Sequence, residues 1–295
     1  MKAYIKRKIK TILFIMLLCI VSLIIYVYSN TINMKNVYTK NDVEYIPNIL
    51  TIDFFMNSNG TDINLQYNTI KPSFITNKTG KFGAADPFIV GDWIFCELMD
   101  KKGYIGVSKI QEVLDFKPVL IEDFHLSFPS VFKYNNEWFM IPETYQDNHI
   151  KLYKSNNFPY EWEFVKNLYD LDAIDSMIFN FKNKWYMFTS SQSNGQISYI
   201  LKTDNFPYGP WKIHKKDILN GKRGGGTVFN YNNQIIFPIQ PSDTQEYYCQ
   251  NLELYTMNDN FEFTKLKEIT ASNGSNGIHH LAKDSFSNKC VIDFC

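Results

Sequence analysis

A hairpin that recurs along the chain limits what it can fold into. An apolar strand, a short turn rich in Asn or Lys and a second aromatic strand appear as ADPFIVGDWIFCE from Ala85 and FPSVFKYNNEWFMIPE from Phe128. They appear again as DSMIFNFKNKWYMFTS from Asp175 and GGTVFNYNNQIIFPIQ from Gly225, with a weaker copy, GIHHLAKDSFSNKCVID, from Gly277. With Asp86, Phe128, Asp175 and Gly225 in register, the period is roughly 40 to 50 residues, the range of a four-stranded propeller blade.

Each of the first four hairpins is followed by a third segment that alternates polar and apolar residues: GYIGVSKI, HIKLYKSNN, QISYILKTDN and NLELYTMND. Alternation of this kind marks a half-buried antiparallel strand. Two copies add a fourth strand with a shared lead-in, NNFPYEWEFVKN from Asn156 and DNFPYGPWKIHKK from Asp204. Here Pro fixes the turn while the aromatics fill the space between blades. The fifth copy stops at its hairpin. Segments ahead of the first copy, NILTIDFFMN and DINLQYNTIKPSFITN, can supply its outer strands and close the ring, which removes exposed sheet edges. The expectation is an all-β, five-bladed β-propeller over residues 46–295, preceded by a single transmembrane helix. A β-sandwich is the alternative that many short strands also suit.

The N-terminus reads differently. Lys2, Lys6, Arg7, Lys8 and Lys10 precede an uncharged run, TILFIMLLCIVSLIIYVYS, at residues 11–29. A run of that length spans a bilayer as a helix, and the basic cluster belongs on the cytoplasmic side. No A-x-A-like cleavage site follows it, so the run reads as an uncleaved anchor. The sequence therefore predicts a cytoplasmic tail at 1–10, a stalk at 30–45 and a propeller on the extracytoplasmic side, extracellular or lumenal. With 30 basic and 30 acidic residues there is no basic footprint for nucleic acid. The cysteines have no metal-ligand spacing, and neither a metal nor a cofactor is expected.

In a propeller, the starts of first strands and the ends of second strands converge on one end of the axis. Here those positions are Asp86, Phe128, Asp175, Gly225 and the Ile278-His279-His280 group, then Glu97, Glu143, Ser190 and Gln240, with Arg223 close by. Paired carboxyl groups are what glycosidic bond chemistry requires. One protonates the leaving oxygen while another activates water or attacks, and a third tunes the first by like-charge repulsion. Asp86, Glu143 and Asp175 are thus the catalytic candidates. Glu97, Arg223, Gln240, His279 and His280 are candidates for holding a glycan. Two adjacent histidines on a strand face opposite ways, so one of the pair is expected to point into the channel. The glycines of KRGGGT at Lys222 are expected to let the fourth blade approach the channel closely.

ADPF at Ala85, HLSFPSVF at His125, EWFMIPET at Glu137, KWYMFTS at Lys184, FPYGPW at Phe206 and GIHH at Gly277 together carry a resemblance. The chain resembles, over about residues 46–295, the propeller of plant glucosamine inositolphosphorylceramide transferases and of bacterial polysaccharide-biosynthesis proteins. More distantly it is similar to the five-bladed glycoside hydrolase family 43. The resemblance implies that Asp86 matches the hydrolases' base or nucleophile and Asp175 their tuning Asp. It also implies that His279 or His280 matches a fifth-blade His near a channel metal. Their acid follows the tuning Asp in the chain, whereas Glu143 precedes Asp175. In the plant enzymes the transferase activity is carried by a separate C-terminal domain, so the resemblance over residues 46–295 does not imply that activity. The implied function is a membrane-anchored, carbohydrate-active propeller that makes or breaks glycosidic bonds in a cell-surface glycan, or else a non-catalytic glycan-binding or scaffold module.

Overall fold

A computed structural model describes residues 50–56, 63–67, 84–110, 116–194, 196–219, 221–231, 233–241, 251–270, 278–287 and 289–294, with backbone alone at 50–56, 63–67 and 294. The expected tail, anchor and stalk lie outside the described residues. Among those described, no helix is long and apolar enough to cross a membrane.

The fold is all-β and propeller-like, with five antiparallel sheets. Strands β1 (Leu50–Met56) and β2 (Ile63–Tyr67) come first. One sheet then runs β3 (Ala84–Val90), β4 (Trp93–Met99), β5 (Gly103–Lys109), β6 (Lys117–Leu120). The next runs β7 (Ser127–Tyr134), β8 (Glu137–Glu143), β9 (Ile150–Asn157), β10 (Glu161–Tyr169). The third runs β11 (Ala173–Phe181), β12 (Lys184–Ser191), β13 (Ser198–Thr203), β14 (Lys212–Lys216). In the fourth, β15 (Arg223–Gly224) and β16 (Phe229–Tyr231) both pair with β17 (Gln234–Gln240), followed by β18 (Asn251–Met257) and β19 (Phe263–Thr270). The last is the hairpin β20 (Ile278–Lys283) and β21 (Lys289–Phe294), completed by β1 and β2 in the order β2-β1-β21-β20.

Strand β1 lies antiparallel to β21 with Leu50 opposite Ile292, so the beginning and the end of the propeller share one sheet, as the missing strands of the fifth repeat predict. Inner strands touch in ring order, β3 with β7, β7 with β11, β11 with β15 and β20 with β3. Burial falls from the axis to the rim. The second strands β4, β8, β12 and β17 are buried through their middles, while the outer strands β10, β14 and β19 are largely exposed. The outer edges carry lysines, which blunt an exposed edge against further strand pairing.

The Phe-Pro lead-ins explain part of the aromatic excess. Phe158 stacks on Trp138 of its own sheet at 4.2 Å and reaches Phe95 of the preceding sheet at 5.9 Å. Phe206 repeats this, 3.8 Å from Trp185 and 4.9 Å from Tyr134. Each Phe is a wedge between neighbouring sheets.

The fourth repeat departs from the expected continuous first strand. Its inner segment breaks after Gly224 and turns to the fifth sheet, where Gly226 bridges Leu281 in parallel and the Leu281 N–H donates to the Gly225 carbonyl at 2.7 Å. The glycines permit this on both sides. A Cβ on Gly224 would lie 2.4 Å from the Asp175 carbonyl oxygen, and one on Gly226 1.8 Å from that of Leu281. Gly226 also has φ +139°, which side-chain-bearing residues rarely adopt. The glycines of KRGGGT, expected to bring this blade close to the channel, bring it instead against its neighbours, at Asp175 on one side and Leu281 on the other, as a seam between blades.

Candidate functional site

Three first strands share one local distortion. Asp86, Phe128 and Asp175 have φ of 50°, 45° and 50°. Each sits where the pairing register slips, between Ala85 and Phe88, Ser127 and Ser130, and Ile174 and Met177. A left-handed residue with a side chain costs about 1–2 kcal/mol, and a bulge re-aims side chains. Two of the three are held by a carboxylate from the preceding sheet in the ring. The Asp86 N–H donates to Asp293 Oδ2 at 3.0 Å, and the Asp175 N–H donates to Glu143 Oε2 at 3.1 Å. At the third position Phe128 is apolar, packed edge-on to Phe88 at 4.9 Å and to His280 at 5.2 Å.

Around Asp86 opposite charges face one another, though His280 Nδ1 and Nε2 and Asp293 Oδ1 are buried without a hydrogen-bond partner. His279 Nε2 hydrogen-bonds Asp86 Oδ1 at 3.2 Å, while His279 Nδ1 stands 3.1 Å from Asp293 Oδ1. His280 Nδ1 is 3.5 Å from the same Asp86 oxygen. Both imidazoles thus approach one carboxylate, against the expectation of opposite faces. The reason is the register slip between Ile278 and His280, which breaks the two-residue alternation of β20. Burial opposes ionisation of Asp86, but the close approach and charge of His279 and His280 together outweigh it and hold the carboxyl far below the usual range. Burial likewise opposes a charge on His279, and Asp293 and Asp86 overcome it, raising its pKa to about 9.

The second half of the site centres on Asp175. Arg223 Nε is 3.2 Å from Asp175 Oδ2 and donates to Gln240 Oε1 at 3.0 Å. Gln240 Nε2 also donates to Asp175 Oδ2, at 3.2 Å. Burial pushes Asp175 up, Arg223 offsets part of this, and the result is about 6. Glu143 is buried to the same extent as Glu97. Burial first, then the charge of Asp175, lifts it well above the usual carboxyl range. Glu97, at the matching end of β4, is 7% exposed and raised to about 8 by burial and then by Asp86. Glu97 and Glu143 both feel the charges of Asp86 and Asp175, so the predicted residues share one electrostatic neighbourhood.

Sequence reasoning overlooked Asp293. It ends β21 as Glu97, Glu143 and Gln240 end theirs, and extending the register to the weaker fifth repeat would have found it. It also overlooked His125, which lies beside Glu97 but on no strand, so no periodicity marks it.

Among the described residues, Asp86, His279 and Asp293 form a group that could hold a metal ion, with one ligand atom each, all within 4.8 Å. His279 already supplies positive charge between the two carboxylates, and a cation would have to displace its proton. The chemistry available without a metal is proton transfer and charge stabilisation.

Among solved structures, the chain is similar to a family 117 glycoside hydrolase of Zobellia galactanivorans, with a TM-score of 0.51 at 10% identity over 82% of this chain and 80% of that one. The exo-β-1,3-galactanase of Phanerochaete chrysosporium solved with galactose gives 0.50 at 12% identity, over 74% and 62%. At such identities the likeness is one of fold. Among curated proteins, glucosamine inositolphosphorylceramide transferase 1 of Oryza sativa subsp. indica is 31% identical over 194 residues, 58% of this chain and 26% of that protein. The protein of the same name from Arabidopsis thaliana is 33% identical over 174 residues, 51% and 22%. The chain thus spans about a quarter of the length of these relatives. The family model for the N-terminal region of glucosamine inositolphosphorylceramide transferase 1 matches residues 85–285, and the chain belongs to that family.

Proposed function

We propose that the protein is a membrane-anchored, carbohydrate-active propeller that makes or breaks glycosidic bonds in a cell-surface glycan or glycoconjugate. One observation carries this reading: carboxyl groups of opposite protonation state share one site. Asp86 is held ionised by His279 and His280, while burial and the charge of Asp175 hold Glu143 protonated well above the usual carboxyl range. Environments that push carboxyl pKa values apart assign an acid and a base, and glycoside chemistry uses such a pair. Asp86 is then the base or nucleophile, ordered by His279, and Asp175 the tuning carboxyl, ordered by Arg223 and Gln240.

A second reading, glycan binding without turnover, is favoured by one contact. Glu143, the expected acid, spends Oε2 on the Asp175 N–H, a structural bond between sheets.

The test uses the full chain in detergent with 4-nitrophenyl and methyl glycosides and oligosaccharides of galactose and glucosamine, with products followed by mass spectrometry. Release or transfer of sugar supports catalysis; saturable binding with no product supports the second reading. The anchor rests on the apolar run at 11–29 and its upstream lysines. Protease protection of the propeller in intact cells supports it, and a mature N-terminus near Asn30 would count against it.

A further inference from the structure

We propose that Glu97, seated by Gly103 and faced by His125, is the group that delivers a proton to the glycosidic oxygen, with His125 as its positioning residue. This rests on the catalytic reading above and goes beyond it by moving the acid from Glu143 to Glu97.

The geometry separates the two glutamates. Glu143 gives Oε2 to a backbone N–H of the next sheet, just as Asp293 does for Asp86, so both act as latches between blades. Glu97 occupies the same register position, opposite Ala85 as Glu143 is opposite Ser127. Its Oε1 is buried with no hydrogen-bond partner. A buried polar atom left unpaired costs about 1–3 kcal/mol and calls for an explanation.

The surroundings of that oxygen are built rather than incidental. A Cβ on Gly103 would lie 2.4 Å from the Leu126 carbonyl oxygen and 2.7 Å from both Glu97 Oε1 and His125 Cε1, so the glycine lets the neighbouring backbone and both side chains close on one point. The Gly103 N–H donates to His125 Nδ1 at 3.0 Å, which leaves the proton of the neutral ring on Nε2. Nε2 stands 3.3 Å from Glu97 Oε1, off the line of a hydrogen bond. The His125 backbone N–H is held in turn by Gln146 Oε1 at 3.0 Å. Burial lowers the pKa of His125, so it faces Glu97 as a neutral donor.

In the step, the bond from the anomeric carbon to the leaving oxygen breaks, its electron pair stays on that oxygen, and the oxygen takes the Glu97 proton. Water forms the new bond to the anomeric carbon and gives its proton to Asp86, from which solvent returns one to Glu97. A small turn of the His125 ring brings Nε2–H onto the carboxylate that Glu97 has become. The charged groups that face Glu97 are Asp86 on β3, Asp175 on β11, His279 on β20 and Asp293 on β21, and three of these four are acidic.

The experiment compares parent, Glu97→Gln, Glu143→Gln and His125→Phe as full chains on the methyl and 4-nitrophenyl glycosides. Glu97→Gln is expected to lose about 100-fold or more on the methyl glycoside, whose leaving group needs protonation, and far less on the nitrophenyl glycoside. Glu143→Gln is expected to lower both rates alike. His125→Phe keeps the burial but removes the N–H donor, so the alkaline limb of kcat/KM should move to higher pH. If Glu97→Gln shows no difference between leaving groups while the parent turns over both, or if the difference appears in Glu143→Gln, the assignment to Glu97 fails and the catalytic reading stands. If the parent releases no product from any glycoside, the catalytic reading fails and takes this role with it.

Discussion

Asp86 and Glu97 lie on paired strands of one sheet, yet their surroundings drive them to opposite charge states. Two imidazoles face Asp86, whereas burial and the charge of Asp86 itself act on Glu97. This has a consequence for stability. Glu97 ionises at about 8 in the folded protein against 4.5 as a free side chain, so the folded state holds a proton the unfolded chain has lost between those values. Stability must therefore fall as pH rises from about 4.5 through 8. His279, raised from 6.5 to about 9, acts in the same direction, since its contribution is complete below 6.5 and lost through 9. Thermal melts between pH 5 and 9 should show a falling midpoint, and Glu97→Gln should flatten the lower part of the fall. A midpoint that rises over this range would contradict the assignment of these charges. Asp86, Asp175, Arg223 and Gln240 were legible in the sequence because strand ends at matching places in a repeat converge. The hydrogen bond that commits Glu143 to Asp175 was not, because it depends on a left-handed backbone that a period cannot reveal.

At the scale of elements, the same devices recur from sheet to sheet. The hairpins and third strands could be read directly, since alternation survives wherever strands are regular. The outer strands β6 and β19 carry no Phe-Pro lead-in and were missed, and the broken first strand of the fourth blade was hidden because three glycines give no hydrophobic signal. Trp185→Ala should destabilise the protein by about 3 kcal/mol in urea unfolding, through loss of the stack that wedges Phe206 between sheets. Gly226→Ala should be worse in kind. The added Cβ meets the Leu281 carbonyl carbon at 2.4 Å as well as its oxygen, on a backbone conformation that alanine avoids. Loss of the cooperative transition is expected for that variant, and a melt like the parent's would disprove the seam between the fourth and fifth blades.

For the whole molecule, closure is the feature on which site and stability both depend. The last sheet takes β1 and β2 from the beginning of the propeller and β20 and β21 from its end, and β20 supplies His279 to Asp86 on β3. Truncation before Gly277 should therefore unfold the domain rather than trim it, because it exposes sheet edges and removes the partner of the buried Asp86. A truncated chain that melts like the parent would contradict the closed ring. Turnover and affinity measured side by side for the parent and Asp86→Asn on the same glycoside decide whether the axial carboxylates are catalytic. The amide is nearly isosteric but can neither take a proton nor attack. The result predicted is loss of product formation with binding retained; equal turnover by the two proteins, or binding by both with no product from either, would contradict a catalytic role for the axial carboxylates.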